Sequence, residues 1–200
     1  MLIALDCMLI ASDCMELASV AYQETYQAME QLQRAGLCRN IGVANLTTAG
    51  LRDVLSYASI APAVLQVEMH PYLQQSTLLR YAKAHGIAVT AFSPLGSSSY
   101  VELDMATHAD SCLTESVVLD LAAKHRRTPA QVVLRWAVQR GTSVIPKSSH
   151  EARLRENAAL FDFELSQEDM AAVGTLERGR RFNDPGVFCE GMGVFCPIFD

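Results

Sequence analysis

Gly86–Gly96 reads GIAVTAFSPLG, and this stretch carries the deciding pattern. It opens on a glycine that ends a helix, runs through Ile87–Phe92, apolar at every position but Thr90, and breaks into a loop at Ser93-Pro94. Apolar residues at consecutive positions predict a strand buried on both faces, as in a parallel sheet covered by helices. Moving upstream, Gln74–His85 predicts the helix that Gly86 closes, and Ala63–Met69 (AVLQVEM) a strand before it. Earlier still, Thr47 or Thr48 caps a helix through Tyr57, and Cys38–Leu46 (CRNIGVANL) reads as a buried strand. Tyr22–Ala35 has helical spacing, with Tyr22, Tyr26, Met29 and Leu32 on one face and Gly36 at its end.

Downstream, a long loop runs from Ser93 to Leu113 and leads into helices at Glu115–His125 and Pro129–Gln139. Thr128-Pro129 opens the second of these with a cap and a first-turn proline. Thr142–Pro146 is a fourth strand, and Ser148 or Ser149 is the expected cap of a helix running to Leu160. Ser166 marks another helix start, and Asp184–Asp200 is a tail punctuated by Gly and Pro. Strand followed by helix, four times over, predicts an α/β fold with a parallel sheet. An open doubly wound sheet and part of a (β/α)8 barrel both fit. The open sheet usually carries a G-x-G-x-x-G turn, which this sequence lacks. Four such units are half of what a complete barrel needs.

Length and composition set the outer limits. The 200 residues amount to roughly one domain. With 50% hydrophobic and 19% charged residues there is enough apolar side chain to offset chain entropy, which argues against a disordered chain. The net charge is −6 with no dense Lys/Arg cluster, which argues against a nucleic-acid groove or a polybasic membrane patch. No apolar run reaches the roughly 18 residues of a transmembrane helix. The six cysteines, Cys7, Cys14, Cys38, Cys112, Cys189 and Cys196, form no C-x-x-C and no Cys–His zinc spacing. Reduced thiols in a cytoplasmic protein are therefore expected.

The first residues hold a repeat, since Met1–Cys7 (MLIALDC) and Met8–Cys14 (MLIASDC) differ only at Leu5 and Ser12. A third, decayed copy follows at Met15–Ala21. Two such heptads are too few for a coiled coil. Residues 1–18 are expected to lie outside the fold, leaving 19–200 as the domain.

Four ordered stretches narrow the fold further: Gly36–Leu46 (GLCRNIGVANL), Gln66–Tyr72 (QVEMHPY), Gly86–Gly96, and Ile145–Asn157 (IPKSSHEARLREN). With Arg181–Pro185 (RFNDP), they make residues 19–200 resemble the C-terminal half of the aldo-keto reductases, closest to the aldose/xylose reductase branch. The resemblance implies the second half of a (β/α)8 TIM barrel, about four βα units plus a C-terminal tail, with the N-terminal barrel strands missing. It also implies an NADP(H) site across the C-terminal ends of the strands.

By motif position, Asn45 and Gln66 hydrogen-bond the nicotinamide carboxamide, which an amide side chain matches with both donors and an acceptor. Phe92 stacks on the nicotinamide ring. Ser93, Leu95 and Ser97 lie over the pyrophosphate. Lys147, Ser148 and Arg153 surround the adenosine 2′-phosphate, with Glu156 and Asn157 near the adenine. A Lys point charge and an Arg fork at a helix start suit a dianion and favour NADP over NAD. Taken singly, each residue has a plainer reading: Asn45 as a turn residue, Gln66 as a buried amide, Lys147 and Arg153 as solvated charges. The sequence departs from the family at Ala44, where Ser is usual, and at Phe92, where Tyr is usual. The π-face survives the second change, and one lost side-chain hydrogen bond is worth about 0.5–1.5 kcal/mol.

In the family, a Tyr protonates the carbonyl oxygen, a Lys–Asp pair tunes that Tyr, and a His orients the carbonyl. The motifs carrying them (D-x-A-x-x-Y, K-L-W and H-W-P) are not found in this sequence. His70, in MHPY, belongs to a different segment, so no catalytic residue is assigned. No nucleophilic triad and no metal site is expected either. The expected activity is NADPH-dependent reduction of aldehydes or aldoses to alcohols, on a small carbonyl substrate, once an N-terminal half completes the barrel. The alternative is an inactive truncated remnant acting as an NADP-binding or interaction module. Open barrel edges predict self-association, or instability, of these residues on their own.

Overall fold

The computed structural model describes residues 2–4, 8–11, 14–17, 20–190, 193, 195 and 197–199. For residues 2–17 within that set, and for 99, 102 and 188, the description is of the backbone alone. The chain forms two compact units, one of residues 1–67, 76–89 and 183–200, the other of residues 68–75 and 90–182.

Three short strands begin the first unit: β1 (Leu2–Ala4), β2 (Met8–Ala11) and β3 (Cys14–Leu17). Helix α1 (Tyr22–Arg34), β4 (Gly42–Ala44), α2 (Thr48–Tyr57), β5 (Val64–Glu68), α3 (Ser76–Ala84) and β6 (Ala88–Phe92) follow. Strands β4 and β5 are parallel, with Gly42, Val43 and Ala44 opposite Val64, Leu65 and Gln66. Leu2–Ala4, within the segment expected outside the fold, pairs parallel with β4 in the register Leu2↔Gly42. A parallel pair needs a crossover, and α1 lies within the one between β1 and β4. Strand β2, in the second copy of the repeat, instead pairs antiparallel with β3, which starts at the end of that copy and runs into the third, with Met8 opposite Leu17 and Ala11 opposite Cys14. The full strand order is β1-β4-β5-β6-β7, and β5 and β6 each run from the first unit into the second.

Tyr26, Val43, Leu51, Val54 and Leu65 are fully buried in the first unit. Each fully buried aliphatic side chain among them contributes about 1.5–3 kcal/mol relative to exposure. Polar groups on α1 are satisfied by the turn after α2. Tyr26 Oη donates to the Ile60 carbonyl at 2.8 Å, and buried Glu30 accepts from the backbone N–H of Ser59 at 2.7 Å and of Ile60 at 2.8 Å. Helices α1 and α3 end at Gly36 and Gly86, whose φ of +74° and +69° only glycine adopts at no steric cost. In each case the next residue, Leu37 or Ile87, donates back across the last turn.

The second unit contains the rest of β6, α4 (Ser116–His125), α5 (Pro129–Gln139), β7 (Thr142–Val144), α6 (Glu151–Ala158) and α7 (Gln167–Gly174). The loop after β6 is not featureless: it folds into four 3-10 turns, between Gly96 and Thr114. Ile145 N–H donates to Ala91 C=O at 3.3 Å, and Met69 N–H to Phe92 C=O at 3.2 Å. The core gathers Tyr72, Tyr100, Val118, Val132, Trp136 and Phe182. A short helix in the tail, α8 (Pro185–Phe188), belongs to the first unit.

The four expected strands all form, each shorter than its apolar run. Helix α6 begins later than expected. His150, not Ser148 or Ser149, is its N-cap residue and gives no side-chain cap. The reason is local, since the Ser148 hydroxyl already accepts the His150 backbone N–H at 3.1 Å.

Candidate functional site

The expected site residues fall at strand ends in each unit. In the first unit Asn45 follows the last residue of β4 with φ +56°. Asn tolerates this left-handed conformation better than most residues. Its backbone N–H donates to Gln66 C=O at 2.9 Å, and Gln66 stands opposite Ala44 in the register. Both side chains are half-buried, and neither carboxamide bonds to another described residue. Ala44 is buried.

In the second unit, half-buried Phe92 ends β6 and Ser93 follows at φ +48°. Such a conformation costs a non-glycine residue about 1–2 kcal/mol and marks a position the surroundings impose. The Ser93 carbonyl accepts from Gly96 N–H at 2.9 Å, which closes the turn. Its hydroxyl pairs with Tyr100 Oη at 2.8 Å, and the Tyr100 ring stacks on Phe182. Gly96 has φ +74°, and a β-carbon there would meet Cys112 Sγ at 3.4 Å. Burial pushes the Cys112 thiol up to about 12, so it stays a neutral packing group. Ser97 is buried and its hydroxyl has no partner among the described residues.

A cavity of about 450 Å³ opens within the second unit. The loop contributes Leu95, Ser98 and Leu113, and the start of α5 contributes Thr128, Pro129 and Ala130. The rest comes from the segment leading into α6: Lys147–His150, Arg153, Glu156 and Asn157. A smaller hollow of about 110 Å³ lies along Ser93–Gly96, Ser98 and Ile145–Lys147, so Lys147, Leu95 and Ser98 line both. Thus Leu95, Lys147, Ser148, Arg153, Glu156 and Asn157 come together in one cavity, Ser93 joins at the smaller one, and Ser97 lies outside both linings.

Charge is unbalanced there. Among the described residues neither Lys147 nor Arg153 ion-pairs with a carboxylate, whereas Arg155 on the same helix is held by Glu151 at 2.7 Å. Helix α6 starts at this wall without a side-chain cap, leaving its first-turn N–H groups available to an anion. Two unpaired cations beside hydroxyls and a helix start fit a phosphomonoester. The cavity also holds Ser98, Leu113, Thr128, Pro129, Ala130, Ser149 and His150, which the sequence motifs do not single out for the site. Ser149 and His150 were within reach, as they sit between Lys147 and Arg153. Ser98 likewise adjoins Ser97, whereas Leu113 and the start of α5 arrive by tertiary packing.

The remaining buried polar clusters are structural. Glu68 Oε1 accepts from His70 Nε2 at 2.9 Å and from Phe182 N–H at 2.8 Å, which fastens residue 182 to the end of β5. Tyr72 Oη and Arg178 both donate to Glu115, while the Arg178 guanidinium lies 4.1 Å from the centre of the Tyr72 ring. Among the described residues no group of three or more His, Cys, Asp or Glu side chains could hold a metal ion, and no helix is long and apolar enough to cross a membrane.

The chain is similar to known proteins in sequence and in fold. The chain is 46% identical over 179 residues to an NAD(P)H-dependent D-xylose reductase of Aspergillus niger, covering 88% of this chain and 55% of that protein. It is 47% identical over 164 residues to the NAD(P)H-dependent D-xylose reductase of Scheffersomyces stipitis, covering 81% and 52%. Among solved structures, the aldose reductase of Schistosoma japonicum superposes with a TM-score of 0.74 at 36% identity, over 84% of this chain and 51% of that one. The chain thus spans about half the length of the curated relatives it matches. A family model described as the aldo/keto reductase family matches residues 4–178. That match runs from β1 through α7 and takes in both the strand ends and the cationic cavity, so the chain belongs to the aldo/keto reductase family.

Proposed function

We propose that this chain is the NADP(H)-holding part of a carbonyl reductase acting on aldehydes or aldoses. The observation that carries the reading is the pair of unpaired cations, Lys147 and Arg153, in the second-unit cavity. When bound, NADPH supplies the hydride. Lys147 and Arg153 hold the 2′-phosphate, with Ser148 offering a hydroxyl and Glu156 and Asn157 facing the adenine. From the family resemblance, Asn45 and Gln66 orient the carboxamide, Phe92 covers the ring, and Ser93, Leu95 and Ser97 belong to the pyrophosphate segment. The family's proton-donor motifs are not found in these 200 residues, so turnover by them alone is expected to be very slow or absent. A positioned general acid is worth typically about 10²–10⁴-fold in rate. The reading includes a cytoplasmic setting, in which the thiols stay reduced.

Titration of the purified chain with NADPH, followed by nicotinamide fluorescence and with NADH as control, tests this. NADPH binds more tightly than NADH, and Arg153→Ala weakens NADPH by about tenfold, the scale of one partly solvated charge-assisted bond. Equal affinity for the two nucleotides, unmoved by Arg153→Ala, would sink the assignment.

A further inference from the structure

We propose that His150 is a third, pH-dependent cation of the Lys147/Arg153 cavity, tightening its hold on a 2′-phosphorylated dinucleotide as pH falls. The inference rests on the NADP(H) reading and adds to it how the preference over NAD is set. His150 lines the cavity, is exposed, and its ring has no hydrogen bond, ion pair or ring contact among the described residues. Three other histidine rings are engaged: His70 with Glu68, His85 with the Tyr81 carbonyl, and His125 with Asp169. The backbone of His150 is pinned, its N–H donating to Ser148 Oγ at 3.1 Å and its carbonyl accepting from Leu154 N–H at 3.0 Å. The residue is therefore fixed by its backbone in the cavity lining, between the two cations in sequence, with its ring open to a ligand.

Charge counting supplies the argument. On its own segment His150 is joined in the lining by Lys147, Arg153 and Glu156, and the adjacent Glu151 is occupied by Arg155. The start of α5 brings Thr128, Pro129 and Ala130, and the loop brings Leu95, Ser98 and Leu113, none of them charged. The lining therefore carries one net positive charge with His150 neutral and two with it protonated. A phosphomonoester carries between one and a half and two negative charges near neutrality. Protonated His150 completes the match, and histidine is the side chain that changes charge between about pH 5 and 8.

The test measures NADPH and NADH affinities of the full chain at pH 6.5 and 8.5 for wild type, His150→Gln and His150→Lys. The two nucleotides differ only in the 2′-phosphate, and comparing variants cancels that phosphate's own protonation. Relative to His150→Gln, wild type gains about two- to fivefold in NADPH preference at pH 6.5 and loses that gain at pH 8.5, the scale of one solvent-screened charge. His150→Lys keeps the higher preference at both pH values. Wild type and His150→Gln behaving alike at both pH values would overturn the proposal, as would a His150→Lys preference no higher than that of His150→Gln at pH 8.5. If Arg153→Ala still weakens NADPH in that case, the cofactor reading stands and only the role of His150 falls. Absence of NADPH binding by the folded wild-type chain would overturn both.

Discussion

Asp169 shows how one residue can tie distant sequence together. Its carboxylate is buried, accepting from Lys124 Nζ at 2.6 Å and from His125 Nε2 at 2.8 Å, while its own N–H donates to Ser166 Oγ. Burial alone would raise its pKa, but the bonds from Lys124, His125 and Ser166 outweigh burial and hold it down at about 2. A carboxyl depressed below its unfolded value contributes stability that is present above about pH 4 and lost as pH falls through about 2. Asp169→Asn should therefore cost on the order of 1–2 kcal/mol at pH 7, discounted for the solvent around Lys124. In urea melts the gap to wild type narrows at pH 3 and closes near pH 2. A gap of the same size at pH 7 and pH 3 would mean that the carboxylate's charge is not what matters. Ser166 as a helix start was readable from its neighbours, since a cap is a local signal. Bonds between residues more than forty apart in sequence, such as Lys124 to Asp169, leave no such signal. Asn45 and Ser93 could be read as loop residues, but not their positive φ, which tertiary packing sets.

At the scale of elements, α5 braces the cavity wall. Thr128 and Gln131 form a reciprocal cap at its start, and Gln131 Nε2 also reaches the carbonyls of Glu156 at 3.2 Å and Ala159 at 3.0 Å. The second pair of bonds satisfies the end of α6, where Glu156 and Asn157 line the cavity. Gln131→Ala removes both functions and should lower stability by about 1–2 kcal/mol. Because the α6 end loosens, NADPH affinity should also drop several-fold. Differential scanning fluorimetry with and without NADPH separates these effects: a lowered Tm with an unchanged NADPH-induced rise would confine Gln131 to folding. The cap at Thr128-Pro129 was plain in the sequence because proline at the first helical position and a preceding threonine are sufficient locally. The α6 start was misplaced because two adjacent serines offer the same local signal, and the turn at residues 148–150 had already used the hydroxyl of Ser148.

For the molecule as a whole, the N-terminal repeat poses the question that local sequence cannot answer. Met1–Cys7 and Met8–Cys14 are nearly the same heptad, yet Leu2–Ala4 pairs parallel with β4 while Met8–Ala11 pairs antiparallel with Cys14–Leu17. Identical propensities cannot choose different partners, so the choice is made by which strand edge is available. In the strand order β1-β4-β5-β6-β7, β1 covers the edge of β4, and β1 and β7 are the end strands. An end strand presents unpaired N–H and C=O groups that pair with another chain. We therefore expect the 200-residue chain to self-associate at tens of micromolar, as sedimentation velocity would detect against a 21.9 kDa monomer. Deleting residues 1–18 bares β4, whose three residues are buried when that edge is covered, so the shortened chain should associate at lower concentration than the full one. If those residues lie outside the fold, the deletion leaves the association unchanged. A dilute, well-folded monomer in both forms would mean that the end strands are already covered, and would turn the search toward what covers them.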